Sequence, residues 1–302
     1  MSISKAVDLS GKVCVITGAS SGIGKATALG LANLGATVVT VMRKRSPKAD
    51  AALTEIKKPG SDRVTALYAD LSLQRSVRQL AAEFDKKFDR LDVLINNAAV
   101  SIPKRRITEE GFENTFAVNV LAPFLLTQLL LPKLISSAPS RIVNVSSESA
   151  RGNSVDFENL QGEKKYRMLG AYGQSKLELD LLTLEFARRL EGTRVTANFL
   201  HPGVVRTNLA HDLNPIARAV FWFFKLFFAS PQKGARTSIY LASSPDVETL
   251  SGRYFSSNMK ERRAPEESYD EMTASKLWCV CEELTGVRST SLQAKSSTRP
   301  QS

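Results

Sequence analysis

Six short runs of β-branched and apolar residues punctuate the first 200 positions, and most are followed by a segment long enough to form a helix. The runs are 12–17 (KVCVIT), 37–42 (TVVTVM), 64–68, 91–95 (LDVLI), 141–145 (RIVNV) and 194–200 (RVTANFL). None alternates apolar with polar residues, so each is expected to be covered on both faces. The helical segments are 25–34, closed by Gly35, then 48–57, 73–88, 115–136 and 173–190. Strands and helices alternating in this way predict βαβ units and a doubly wound parallel sheet, an α/β fold with helices on both faces. A seventh strand over 252–255 would complete the sheet. One domain is expected over 1–285, followed by a disordered tail over 286–302 that is rich in Ser and Thr and has no acidic residue.

The formal charge of +11, from 41 Lys and Arg against 30 Asp and Glu, calls for an anionic partner without choosing one. The basic residues are spread out rather than gathered in an arm, which argues against nucleic acid. Three cysteines, Cys14, Cys279 and Cys281, make no disulfide framework and suit a reducing compartment. No uninterrupted apolar run reaches the roughly 18–20 residues that span a bilayer, and residues 1–9 are no signal peptide. A cytoplasmic protein is expected. His201 and His211 have no neighbours at metal-ligand spacing, so no metal is expected.

Directly after the first run comes Thr17-Gly18-Ala19-Ser20-Ser21-Gly22-Ile23-Gly24, which leads into a helix. Glycines here permit a tight turn and close approach of the backbone to a phosphate. The helix N-terminus offers free N–H groups to a pyrophosphate. The second run ends Arg43-Lys44-Arg45, where a dinucleotide site reading a free ribose hydroxyl would carry a carboxylate. Cations there suit a 2′-phosphate and predict NADP(H). Tyr172 and Lys176, four apart, share a face of a helix.

Other landmarks follow in order: Asp70-Leu71, Asn96-Asn97-Ala98-Ala99, Asn119, Ser146-Ser147, Tyr172-Gly173-Gln174-Ser175-Lys176 and Pro202-Gly203. With the glycine spacing, they make the chain resemble the short-chain dehydrogenase/reductase family of classical type, from about residue 11 to 285. Ala99 stands where that family usually has Gly. The resemblance implies a Rossmann-type fold, and a cofactor held by Gly18, Ser20, Ser21, Gly22, Ile23, Gly24, Arg43, Lys44, Asp70, Leu71, Asn97, Ala98, Tyr172, Lys176, Pro202, Gly203, Val205 and Thr207. It implies that Tyr172 exchanges the proton and Lys176 holds the ribose, and the Lys176 ammonium together with an oxidised nicotinamide would favour the Tyr172 phenolate. Ser147 would bond the substrate oxygen and Asn119 support a water-linked relay. Aligning the fifth run with the family puts the hydroxyl on Ser147, with Ser146 the alternative.

The insertion over 153–170, containing FENLQGEK, resembles the retinol dehydrogenase branch, as do 186–190 (FARRL) and His201-Pro202-Gly203. That branch interconverts retinal, or other hydrophobic aldehydes and ketones, with the alcohols. Residues 209–230 are dense in aromatics, and Phe221 and Phe224 are expected to line the substrate pocket as part of a lid. Such a lid could also rest on an acidic membrane surface, with Arg218 and Lys225 flanking the aromatics, and the alternative is a helix packed on the body of the fold. A homo-oligomer is a further expectation. Against an enzyme stands a cofactor-binding sensor or scaffold on the same fold.

Overall fold

The computed structural model describes residues 7–57, 62–203 and 230–288. Eight strands form one sheet: β1 (Val13–Thr17), β2 (Thr37–Met42), β3 (Val64–Tyr68), β4 (Val93–Asn96), β5 (Ser140–Val145), β6 (Val195–Leu200), β7 (Tyr254–Phe255) and β8 (Glu261–Arg262). Their spatial order is β3-β2-β1-β4-β5-β6-β7-β8. Every neighbouring pair is parallel except β7 with β8. β1 is central, with Val15 opposite Val39 on one side and Leu94 on the other. The chain therefore reverses its direction of growth between β1 and β4, where an open α/β sheet leaves a crevice at its strand C-termini.

The continuous apolar runs are explained by burial on both faces. Val13 and Val15 join a core with Leu80, Phe84, Phe124, Leu177 and Trp278, whereas Cys14 and Ile16 face the opposite core with Leu31 and Leu241. The helices are α1 (Gly22–Asn33), α2 (Pro47–Ile56), α3 (Gln74–Lys87), α4 (Asn114–Ser136), α5 (Met168–Arg189), α6 (Pro231–Ser243) and α7 (Glu271–Thr285). α4 is long and apolar enough to cross a bilayer by composition, but here it is a core helix, with Phe124, Leu125 and Leu130 buried. α7 is fixed by Trp278, which meets Phe124 of α4 and Phe186 of α5 edge-on at 4.9 and 4.7 Å.

Three details differ from the sequence reading. α1 begins at Gly22, inside the glycine loop, and α5 begins at Met168, so Tyr172 lies in its second turn. Glycine is a poor helix former, and Gly22, Gly24 and Gly170 conceal both starts. The sheet has an eighth strand, a two-residue exposed edge with no apolar signal. The lid proposed over 209–230 lies outside the described residues except for Ser230, and so does the tail from 289 onward.

Candidate active site

A cleft of about 1230 Å³ runs along the C-terminal ends of the parallel strands. Its floor is the turn after β1. Gly24 is there because nothing larger fits: a Cβ would stand 2.5 Å from the Gly18 carbonyl oxygen and 2.4 Å from Asn97 Nδ2. Thr17 ties this turn to the next strand, its hydroxyl accepting from the backbone N–H groups of Asn97 and Ala98, each at 3.0 Å. The Asn97 amide donates to the Thr17 carbonyl at 2.8 Å. Ser21 caps α1 in an extended conformation without a side-chain hydrogen bond to the helix, so the first-turn N–H groups are left for a ligand. The space above Gly22 is open. A closed backbone cradle under an open helix N-terminus fits a pyrophosphate.

Arg43 and Lys44, at the end of β2, are exposed and line the same cleft, with Ser46 and Lys48 of the α2 start beside them. Arg45 turns away and lies over the Tyr68 ring at 5.4 Å. The lining carboxylates are Asp70 and Glu148, neither at the end of β2. The Asp70 side chain accepts from the backbone and hydroxyl of Ser72, shaping the turn after β3. Ala99 is not among the residues with positive φ, so an alanine costs the backbone nothing there.

Beyond the cofactor end, α5 carries Tyr172 and Lys176 against the end of β5. Gly173 permits this approach, since a Cβ would lie 2.7 Å from the Ser149 carbonyl oxygen. Lys176 is 2% exposed, its Nζ donating to the Val145 carbonyl at 2.8 Å and standing 5.7 Å from the centre of the Tyr172 ring. Burial pushes the Lys176 ammonium down to about 8, while the Asp180 charge acts in the opposite sense. Burial raises the Tyr172 phenol, and the adjoining Ser147 hydroxyl lowers it. The free protein therefore favours the protonated phenol.

The two serines differ in kind. Ser147 is half-buried on the cleft, its hydroxyl fixed by accepting from Ser149 N at 3.1 Å. Ser146 is buried at 3%, its hydroxyl turned toward Asp180 beneath the sheet edge without closing a well-formed hydrogen bond. Ser147→Ala is accordingly expected to lower turnover by about 10²–10³-fold, the usual cost of removing a donor aimed at a developing oxyanion. Ser146→Ala should cost far less. Steady-state rates of the two variants decide the register.

Asn119 lies in a π-helical turn, Ala117–Leu121, of α4. Such turns mark places where a helix is bent for function. Its side chain accepts from Val100 N at 2.8 Å and donates to the Val100 carbonyl at 2.9 Å and to the Ser175 hydroxyl at 3.0 Å. Ser175 in turn donates to the Tyr172 carbonyl at 2.8 Å. Asn119 thus stands behind the cleft as a brace between the β4 loop and α5. Sequence reading did not find Ser175, although its place between Tyr172 and Lys176 was the available signal.

The expected cofactor residues from Gly18 to Gly24, with Arg43, Lys44, Asp70, Leu71, Asn97, Ala98, Pro202 and Gly203, line this one cleft together with Ser147, Tyr172 and Lys176. Val205, Thr207, Phe221 and Phe224 lie outside the described residues. His201 Nδ1 accepts from Glu148 N at 3.2 Å, a hydrogen-bonded position at a strand end. Among the described residues no group of three or more His, Cys, Asp or Glu could hold a metal.

A doubly wound sheet whose switch-point cleft combines a glycine loop with a Ser–Tyr–Lys face defines a nicotinamide-linked oxidoreductase. The family model for short chain dehydrogenases matches residues 12–217, and the chain belongs to that family. Within it, the chain falls in the retinol dehydrogenase branch. It is 46% identical over 293 residues to retinol dehydrogenase 14 of Mus musculus, covering 92% of this chain and 86% of that one. Among solved structures, an uncharacterised protein of Mycobacterium paratuberculosis superposes with a TM-score of 0.75 at 32% identity, over 93% of this chain and 95% of that one. RhlG of Pseudomonas aeruginosa, in an NADP active-site complex, superposes at 0.66 with 27% identity, over 82% and 95%.

Proposed function

We propose that the protein is an NADP(H)-dependent oxidoreductase that transfers a hydride between nicotinamide and a hydrophobic alcohol or carbonyl substrate, of the retinol and retinal kind. The observation that carries this reading is the meeting of Ser147, Tyr172 and Lys176 with the glycine loop in one cleft. The apolar substrate class is supported by Val100, Ile102 and Pro202 in the same lining, and by the names of the retinol dehydrogenase relatives. The three cysteines are free, as a cytosol-facing protein would have them.

When bound, the nicotinamide supplies the hydride and, in its oxidised form, a positive charge. In reduction the Ser147 hydroxyl donates a hydrogen bond to the carbonyl oxygen and fixes its direction. Tyr172 Oη passes its proton to that oxygen as the carbonyl carbon gains the hydride, leaving an alcohol. Lys176, held by the Val145 carbonyl, keeps two donors for the ribose side and stabilises the phenolate that results. Oxidation runs the same proton backwards, so the raised phenol must be brought down when oxidised cofactor adds its charge to that of Lys176.

NADP(H) preference rests on Arg43 and Lys44 at a β2 end free of carboxylate. Arg43→Ala removes a charge-assisted hydrogen bond worth about 1.5–3 kcal/mol. The NADPH Michaelis constant is therefore expected to rise about 10- to 100-fold while the NADH one changes little. Equal effects on both cofactors would contradict the assignment.

A further inference from the structure

One turn beyond Lys176 on α5 lies Asp180, fully buried, with neither carboxyl oxygen in a hydrogen bond. It lies away from the substrate cleft, and none of the steps above uses it. Leaving a buried polar group unpaired costs about 1–3 kcal/mol, more for a charge, so such a residue calls for a physical reason. Its surroundings supply one. Ser146, at the end of β5, and Ser268, in the 3₁₀ turn Glu266–Tyr269, both turn unpaired hydroxyls toward it. Glu148, after β5, and Tyr254 of β7 are its other titratable neighbours, and Tyr254 donates to Glu148. Lys176 is the cation that acts on it.

Lys176 has the complementary deficit. It is buried, its described hydrogen bond goes to a neutral carbonyl, and none of the ion pairs among the described residues includes it. Residues four apart on a helix share a face, with about 5–6 Å between their Cβ atoms. The other two buried acids of this helix are engaged elsewhere: Glu178 accepts from Gln174 at 2.9 Å and faces Glu113 across a second cavity of about 300 Å³, and Glu185 pairs with Arg188 and Arg189.

We propose that Asp180 is a positioning residue, the buried counter-charge that keeps the Lys176 ammonium protonated in a site too dry to sustain it alone. This rests on reading Tyr172 and Lys176 as the proton-handling pair. The carboxylate acts through space and touches neither substrate nor cofactor. Removing it lets Lys176 lose its proton at lower pH, and with that proton goes the charge that steadies the Tyr172 phenolate. Burial raises the Asp180 carboxyl, while the Ser146 hydroxyl, the Lys176 charge and the Ser268 hydroxyl act to lower it, so each charge of the pair favours the other.

The test is competitive acetylation of the free protein with acetic anhydride from about pH 6 to about pH 11, reading Lys176 by peptide mass spectrometry. In Asp180→Asn, which conserves shape, the Lys176 midpoint is expected to fall by about one unit or more. Exposed Lys86 and Lys87 should be unmoved. Ser268→Ala, which removes one hydroxyl steadying the carboxylate, should give a smaller fall in the same direction. An unmoved Lys176 midpoint in a folded Asp180→Asn protein overturns the proposal. If that variant does not fold, an unmoved midpoint in Ser268→Ala does so. Because labelling needs no turnover, its outcome is independent of whether the carbonyl reduction itself is found.

Discussion

Tyr172→Phe is expected to lower turnover by about 10²–10⁴-fold, the range that a positioned proton donor contributes. Cofactor affinity should stay within a few-fold of the parent. The substitution removes one oxygen and leaves the ring under Lys176 Nζ, and the glycine cradle formed by the turns after β1 and β4 is untouched. The lost interaction belongs to the transition state, so kcat should fall without a compensating rise in the cofactor Michaelis constant. Single-turnover rates, with cofactor binding followed by nicotinamide fluorescence, separate the two. Activity close to the parent would remove Tyr172 from the mechanism.

Gly24→Ala should have an effect of comparable size on a different quantity. The added methyl clashes with both the Gly18 carbonyl, part of a fixed turn, and the Asn97 amide, which donates to Thr17. Overpacking of this kind costs about 1–3 kcal/mol of stability. It also breaks the alignment of the N–H groups on which a pyrophosphate would rest. NADPH affinity is expected to fall by about 100-fold or more, in line with losing several charge-assisted hydrogen bonds. Isothermal titration of the folded variant checks this, and unchanged affinity would mean that the cradle is not the phosphate site.

The two predictions mark how much of the molecule could be read in its sequence. Strands β2 and β3 fall where their runs lie, because β-branched, apolar and aromatic residues fill both runs from end to end. The glycine loop and the Tyr172–Lys176 spacing were legible for the same reason: each is local, and its chemistry restricts which residues can serve. α6 and α7 went unread although both carry clear starts. Ser230 caps Lys233 N ahead of Pro231, and Asp270 caps Thr273 N. Their stripes are short, and the large aromatic Trp278 becomes meaningful only once Phe124 and Phe186 are beside it.

What the sequence hid in the site is all long-range. Nothing in the pattern around Asn119 reveals that its amide holds both backbone groups of Val100, 19 positions away. The burial of Asp180 depends on a turn at Ser268 and on the end of β5. Its partner Lys176 sits one helical turn away, and so the pair was visible in principle. An acid four residues from a lysine on a helix is ordinarily a solvated pair, and only burial makes it different.

The central claim is hydride transfer to an apolar carbonyl, and one assay addresses it most directly. Purified protein is mixed with NADPH and all-trans-retinal, and the NADP⁺ and the alcohol formed are both measured by chromatography over time. Tyr172→Phe serves as the matched control. The account predicts one retinol formed per NADPH consumed by the parent protein, and almost none by the variant. Retinal should also outpace a short-chain aldehyde. NADPH bound tightly by both proteins but consumed by neither, across apolar aldehydes and ketones, would contradict the account and leave a cofactor-binding sensor in its place.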